Sequence, residues 1–180
     1  NTAYEMLRSL VGSEMCIRDR LLADDIIDSP DPVLRQMIDL YQKRPGIILA
    51  VTRIPRQEIS QWGVIKGVEI EKGTFKVEDL IEKPEPEEAP SDLAIIGRYI
   101  LAPSIFKAIE KVSPGKGGEI QLTDSIRNLL HKEEIYAYEF QGEYFGVGDK
   151  IGFLKANVAF ALKRKDIGEE LKEFLREIIN

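Results

Sequence analysis

A continuous apolar run at residues 47–51, Ile-Ile-Leu-Ala-Val, constrains the fold more than any other feature of the chain. Such a run predicts a strand that is buried on both faces, as the strands of a parallel sheet are. Pro45-Gly46 directly before it ends a predicted helix, which opens at Asp31-Pro32 with proline at the first helical position. The apolar stripe of that helix follows the helical period and comprises Val33, Leu34, Met37, Ile38 and Tyr41.

Strands and helices alternate along the rest of the chain. Residues 64–70 and 74–81 flank Lys72-Gly73 and predict a hairpin, and residues 94–101 predict another buried strand. Helices are expected after Pro103 and over residues 122–130, and a strand over residues 135–140. The end of the chain predicts two amphipathic helices that are separated near Gly168. Together these elements predict an α/β unit with a mixed sheet and a helical C-terminal tail.

The composition excludes several classes of protein. The 180 residues include 25 Lys and Arg against 31 Asp and Glu, so the formal net charge is −6, and we expect no nucleic-acid partner. No apolar run approaches the roughly 20 residues that span a bilayer, so we expect no membrane partner. A single cysteine cannot form an internal disulfide and favours a reducing, cytoplasmic location. A single histidine excludes a His-rich metal site.

The first twenty residues differ in character from the rest of the chain. They contain the one cysteine and two of the three methionines, and they lack a clear helical or strand period. Their apolar stretch is short and is interrupted by charged residues, so they do not resemble a signal peptide. We interpret residues 1–20 either as a mobile arm or as sequence that is not native to the protein. The predicted domain therefore covers residues 21–180.

Two pairs of charged residues follow predicted strands and are candidates for chemistry. Asp24-Asp25 follows a strand expected over residues 21–23, where carboxylates can hold Mg²⁺ beside a phosphate, although a solvated turn would have the same sequence. Glu82-Lys83 follows the second hairpin strand and precedes Pro84. Lysine suits phosphate oxygens and glutamate accepts hydrogen bonds from hydroxyls, yet solvated charges at a strand end explain the pair equally simply.

Two glycine-containing segments precede predicted helices. In Gly117-Gly118-Glu119-Ile120-Gln121-Leu122-Thr123-Asp124 the glycines allow a close backbone approach, and Thr123 or Asp124 is a candidate cap for the helix, although a plain loop–helix junction explains the segment more simply. In Gly146-Val147-Gly148-Asp149-Lys150 neither a P-loop nor a dinucleotide fingerprint is present. The simplest interpretation of this second segment is that Asp149 caps the following helix.

Taken together, the segments over residues 21–180 resemble one family. The resemblance is carried, in chain order, by LLADD, QWGVI, IEKPEPEEAPSDLAIIGRYIL, PGKGGEIQLTDSIRNLL and GDKIGFLKANVAFALKR. These are similar to segments of bacterial UTP–glucose-1-phosphate uridylyltransferases. The resemblance implies a Rossmann-like nucleotidyltransferase fold with a mixed sheet. It also implies transfer of UMP from UTP to glucose 1-phosphate, giving UDP-glucose and pyrophosphate, with Mg²⁺ as the cofactor.

The resemblance implies a role for each residue that matches. Asp24 would be the carboxylate that binds Mg²⁺, and Gly63 would let the backbone approach the sugar. Glu82 would bind glucose hydroxyls, and Lys83 would bind the phosphates and act as the catalytic residue. Ile96 and Gly97 would line the sugar pocket.

Two departures from the family pattern limit what the resemblance implies. The family's Gly-rich nucleotide loop, GxGTRxxPxTxxxPK, has no counterpart here, so we expect a C-terminal part of such an enzyme, with little or no activity alone. The family's second metal carboxylate, in YDxGDK, corresponds to Gly146. Either Asp24 and water then hold Mg²⁺, or Asp149 substitutes, or the site is impaired.

Two other functions stay open at this point. One is a thymidylyltransferase of the same fold. The other is a non-catalytic sugar-nucleotide-binding or assembly subunit, which the glycine at 146 favours. By analogy with the family, the C-terminal helices would mediate homo-oligomer contacts or would pack on their own domain.

Overall fold

The computed structural model describes residues 18–115 and 118–179 of the chain, in two compact units. The first unit contains the part up to Leu22 together with Asp31–Gln141. The second contains Ala23–Pro30 together with the part from Gly142 onward. Residues 1–17, Lys116, Gly117 and Asn180 lie outside the described residues, so most of the distinct N-terminal segment is not described.

The described residues form eight strands and five α-helices. The strands are β1 (Arg18–Leu21), β2 (Asp25–Asp28), β3 (Ile47–Arg53), β4 (Gly63–Glu71), β5 (Thr74–Glu82), β6 (Leu93–Leu101), β7 (Ile135–Glu139) and β8 (Glu143–Gly146). The helices are α1 (Val33–Lys43), α2 (Ser104–Ile109), α3 (Leu122–Arg127), α4 (Lys150–Leu162) and α5 (Gly168–Ile179). A short 3₁₀ helix covers Arg56–Gln61.

The sheet of the first unit is mixed, as the sequence predicts. Within the described residues its strand order is β1-β6-β3-β7-β5-β4, with a further pairing between β4 and β6. Strand β3 runs parallel to β7 and antiparallel to β6. Its apolar run is buried on both faces because Ile47, Leu49 and Val51 join the core with α2 and α3, while the alternate side chains face the other way and are also buried.

The predicted hairpin is present as strands β4 and β5. The turn contains Gly73 at φ 71°, in the left-handed region that glycine adopts without a steric penalty. The register places Gly63, the first residue of β4, opposite Glu82, the last residue of β5. The hairpin therefore places the start of β4 beside the end of β5, and we call this place the β4–β5 edge.

The helices of the first unit lie near their predicted positions but are shorter. Helix α1 contacts β3 and β6 through a buried stripe of Val33, Met37 and Leu40, whereas the predicted stripe member Ile38 is exposed. Helices α2 and α3 end at Ile109 and Arg127, before the last apolar residues of their predicted stripes. After α3, Leu129 still packs into the core and Leu130 packs against it.

The second unit differs most from the sequence prediction. The acidic sequence after the strand expected at residues 21–23 predicts a polar loop, but Asp25–Asp28 is strand β2, paired antiparallel with β8. In the first unit, the predicted strand over residues 21–23 is displaced, since β1 ends at Leu21. Helices α4 and α5 confirm the helical C-terminal end. None of the described helices has both the length and the apolar character that a membrane span requires.

Candidate functional site

A close cluster forms in the first unit where strands β4 and β5 meet the start of α3. A Cβ atom built on Gly63 would lie 2.7 Å from Thr123 Oγ1, 3.0 Å from Glu82 Oε2 and 3.3 Å from Ile95 Cδ1. Side chains from three different elements thus converge on the bare Cα of Gly63. A side chain at this position would collide with the Thr123 hydroxyl, so the cluster depends on glycine.

Glu82 is the ionisable group at the centre of this cluster. Its side chain is only 15% exposed, and burial raises the pKa of its carboxyl group. Asp124 adds to that rise, whereas a hydrogen bond from the Thr123 hydroxyl and the charge of Lys83 lower the pKa. A carboxylate in this setting is held in place and can accept further hydrogen bonds from hydroxyl groups.

Lys83 continues the chain in an unusual backbone conformation. Its φ is 47°, in the left-handed region that residues other than glycine rarely adopt. Its backbone N–H donates to the carbonyl of Trp62 at 2.9 Å. The side chain remains half-exposed, with Nζ 4.0 Å from Glu82 Oε1. The ammonium group is therefore beside the carboxylate and available to an anion, and an observed strain of this kind suggests a functional constraint.

Ile96 and Gly97 lie at an irregularity of strand β6. The register with β3 shifts here, since Tyr99 pairs with Leu49 while Ile95 pairs with Val51, so three residues of β6 oppose one of β3. The Gly97 carbonyl accepts a hydrogen bond from the backbone of Leu22 at 2.8 Å. The Ile96 side chain is fully buried, so contact with a sugar would use its backbone.

Asp24, the predicted metal ligand, lies in the second unit. Its side chain is exposed, and its carbonyl accepts a hydrogen bond from the backbone of Val147 at 2.7 Å. A Cβ built on Gly148 would lie 3.4 Å from Asp24 Oδ2, which is ordinary contact. The pairing of β2 with β8 thus brings Asp24 to the segment that comes after β8.

A tyrosine occupies the space beside Gly146 in the same unit. Tyr144 donates from its hydroxyl to Oδ1 of the buried Asp25 at 2.6 Å. Burial, and next the Asp25 carboxylate, raise the pKa of Tyr144 far above its usual range. A Cβ built on Gly146 would lie 2.7 Å from the Tyr144 hydroxyl, so a side chain at 146 would have to displace that hydroxyl group.

Asp149 caps helix α4, as the sequence predicts. Its Oδ1 accepts hydrogen bonds from the backbone N–H groups of Ile151 at 2.8 Å and Gly152 at 2.9 Å. These bonds satisfy two of the donors that a helix leaves unpaired at its start.

The described structure therefore groups five of the six predicted site residues in the first unit: Gly63, Glu82, Lys83, Ile96 and Gly97. Asp24 lies in the second unit. Two further residues were not predicted as site residues. Thr123 contacts Glu82, and Tyr144 occupies the space beside Gly146. The expectation that Thr123 or Asp124 caps α3 is wrong, because Gln121 is at the N-cap position and makes no side-chain cap.

Comparison with known proteins identifies the family. The sequence model of the nucleotidyl transferase family matches residues 9–163, a stretch that begins within the distinct N-terminal segment. The chain belongs to this nucleotidyl transferase family. The fold that the resemblance implies is thereby confirmed.

Individual nucleotidyl transferases are similar over nearly the whole chain. A UTP–glucose-1-phosphate uridylyltransferase of Streptococcus pneumoniae is 42% identical over 176 residues, which cover 95% of this chain and 58% of that protein. A crystal structure of UDP-glucose pyrophosphorylase complexed with UDP-glucose is 41% identical, with a TM-score of 0.80 over 83% of this chain and 57% of that one. The chain therefore spans a little over half the length of these relatives.

A more distant relative shares the fold alone. A putative glucose-1-phosphate thymidylyltransferase from Bacillus anthracis is 20% identical, with a TM-score of 0.62 over 80% of this chain and 54% of that one. At this identity, the likeness carries no information about the nucleotide.

Nucleotidyl transferases of this family generally use a divalent metal ion. Among the described residues, no three His, Cys, Asp or Glu side chains come together as a metal-binding group. Asp149 is engaged at the start of α4, and Asp25 accepts the Tyr144 hydroxyl. The donor set fits a metal ion held by the exposed carboxylate of Asp24 together with phosphate oxygens and water, an arrangement that Mg²⁺ accepts.

Proposed function

We propose that this nucleotidyl transferase takes part in uridylyl transfer from UTP to glucose 1-phosphate, which yields UDP-glucose and pyrophosphate. This chain would supply the part of the active site that binds the sugar phosphate. The observation that carries the proposal is the cluster of Gly63, Glu82 and Lys83, in a chain 41% identical to an enzyme complexed with UDP-glucose. Carboxylate, bare backbone and ammonium lie side by side there, and each suits one part of a sugar phosphate.

Each group of the cluster has one task in binding. The Glu82 carboxylate accepts hydrogen bonds from glucose hydroxyls, and the glycine at position 63 lets Glu82 and Thr123 lie close to the backbone at the start of β4. The Lys83 ammonium binds phosphate oxygens as a compact point charge.

The chemistry requires positioning rather than proton transfer. A phosphate oxygen of glucose 1-phosphate attacks the α-phosphorus of UTP, and the bond to the bridging oxygen of pyrophosphate breaks. The attacking oxygen is already ionised, so no general base is required. Lys83 offsets the negative charge that the two phosphate groups bring together.

Mg²⁺ is the divalent ion that we propose for Asp24 in the second unit. It would supply positive charge to the phosphate oxygens, with Asp24 as its protein ligand. Because position 146 on β8 is glycine, this position supplies no second carboxylate to the metal ion beside Asp24.

Ligand binding tests the sugar-phosphate assignment directly. We expect calorimetry to detect binding of glucose 1-phosphate and UDP-glucose to the chain, and Lys83→Ala to weaken both by about tenfold or more. Lys72→Ala is the matched control, because Lys72 lies at the far turn of the same hairpin. Equal affinities in Lys83→Ala and in the unaltered chain would contradict the proposal.

A non-catalytic sugar-nucleotide-binding role is the second candidate, and Gly146 with its neighbour Tyr144 favours it. Release of pyrophosphate from UTP, glucose 1-phosphate and Mg²⁺ separates the two, once the chain is fused to the N-terminal part of the Streptococcus pneumoniae relative, which supplies the Gly-rich nucleotide loop. Release above the protein-free rate supports the transferase, whereas UDP-glucose binding without release supports the binding role. Replacing UTP by dTTP in the same assay tests the thymidylyltransferase alternative.

A further inference from the structure

The start of helix α3 contacts the carboxylate of Glu82 through a buried hydroxyl group. We propose that Thr123 is a positioning residue, whose hydroxyl fixes the Glu82 carboxylate so that its other oxygen is presented to the ligand. Its role in sugar binding rests on the proposed function above. The contact itself is a property of the ligand-free chain.

The two carboxylate oxygens of Glu82 have different neighbours. Oε2 lies on the side of Gly63, where Thr123 Oγ1 also lies, at 3.0 Å and 2.7 Å from the position of an added Cβ. Oε1 lies on the side of Lys83, 4.0 Å from its Nζ. One oxygen is therefore directed into the protein, and the other is directed towards the exposed ammonium group.

The hydroxyl of Thr123 has a structural reason to make this bond. The residue is 4% exposed, and buried polar groups are nearly always hydrogen-bonded. Glu82 is its acceptor. A hydroxyl and a carboxylate that are both withdrawn from water satisfy each other, so removing either one leaves the other short of a partner.

A salt bridge further along α3 holds the helix in the required position. Arg127 Nε and Nη2 lie 2.6 Å and 2.8 Å from the two carboxylate oxygens of Asp79 on β5. This two-point contact ties α3 to the strand that ends at Glu82. Thr123, one turn earlier on the same helix, is thereby held against the end of β5.

The charged groups around Glu82 set the direction of the expected change. Burial and Asp124 raise the pKa of Glu82, while Thr123 and Lys83 lower it. Removing the Thr123 donor therefore moves the pKa of Glu82 further up.

The test compares Thr123→Val, which keeps the shape and removes the donor, with Thr123→Ser, which keeps the donor. The pKa of Glu82 is measured in the ligand-free chain by carbon-13 NMR titration of the glutamate carboxyl groups. We expect an upward move in Thr123→Val and little change in Thr123→Ser. We also expect UDP-glucose to bind about tenfold more weakly to Thr123→Val, with affinity recovered in Thr123→Ser.

Each outcome decides a separate point. An unchanged pKa of Glu82 in Thr123→Val would overturn the contact, and a moved pKa with unchanged UDP-glucose affinity would overturn the positioning role. If the unaltered chain fails to bind UDP-glucose, the proposed function fails while the pKa comparison still decides whether Thr123 holds Glu82. Should Thr123→Val not fold, Thr123→Ala gives the same comparison.

Discussion

Lys83 carries both the backbone strain and the exposed positive charge of the candidate site. At φ 47° any residue with a Cβ pays roughly 1–2 kcal/mol relative to ordinary backbone, and glycine avoids this cost. We therefore expect Lys83→Gly to be more stable than Lys83→Ala by about 1 kcal/mol in chemical unfolding. Both variants lose the ammonium group, so both bind glucose 1-phosphate weakly. Equal stabilities would show that the left-handed conformation costs nothing.

The buried carboxylate of Glu82 also has a cost in stability. Since burial raises its pKa in the folded chain, ionisation is easier in the unfolded chain. The contribution of Glu82 to the unfolding free energy is therefore fully present at low pH. It falls as the pH rises from the ordinary glutamate pKa through the raised one.

Replacing Glu82 by a neutral isostere tests this directly. The unfolding free energy of Glu82→Gln minus that of the unaltered chain is expected to be larger at pH 7 than at pH 4. Affinity for UDP-glucose is expected to fall by about 10- to 100-fold. Glu78→Gln, on an exposed position of the same strand, is the control and should show neither effect. A difference in unfolding free energy that does not change with pH would contradict the burial argument.

At the scale of elements, the β2–β8 ribbon explains what glycine does at position 146. A side chain there meets the Tyr144 hydroxyl, which is bonded to Asp25. We expect Gly146→Asp to destabilise the chain by about 1–3 kcal/mol. We expect a smaller added cost for the same change in a Tyr144→Phe background. Additive costs in a double-mutant cycle of chemical unfolding would contradict a shared space.

The cap of helix α4 gives a separate test at the same scale. Asp149→Ala is expected to cost about 0.5–2 kcal/mol of unfolding free energy, whereas Asp149→Asn retains an accepting oxygen and should cost little. The pair also addresses the alternative in which Asp149 holds the metal ion. Under that alternative, Asp149→Asn would lose Mg²⁺ affinity at unchanged stability.

Local pattern predicted some elements well and others not at all. The β4–β5 hairpin and strand β3 follow from turn chemistry and an apolar run within the segment itself. Strands β2 and β8 have four residues each and pair across more than a hundred residues, so nothing local marks them. The sequence prediction that α4 is amphipathic is wrong, because apolar residues lie all around this helix, and Ile151, Phe153 and Leu154 are exposed.

The candidate site shows the same limit at single residues. Motif resemblance predicted the site residues Glu82, Lys83 and Gly63, and the structure adds the distances between them. Thr123 was expected to cap a helix because threonine near a helix start often does. Its contact with Glu82 joins residues 41 positions apart in the sequence, and only the packing of α3 on β5 reveals it.

At the scale of the whole molecule, the candidate sugar-phosphate site and the candidate metal ligand belong to different compact units. Glu82 and Lys83 lie in the first unit and Asp24 in the second. The groups proposed to bind the sugar phosphate are therefore all supplied by the first unit. We expect sugar phosphate to bind at the β4–β5 edge, whatever the state of the metal ligand.

Titration of the nitrogen-15-labelled chain with glucose 1-phosphate, without added metal, tests that expectation most directly. Saturable shifts are predicted for the backbone amide signals of Gly63, Lys83 and Gly97, and these shifts should be lost in Lys83→Ala. The amides of α4 and α5 should not move. Shifts confined to those two helices, or no saturable shift at the β4–β5 edge, would contradict binding of the sugar phosphate by the first unit.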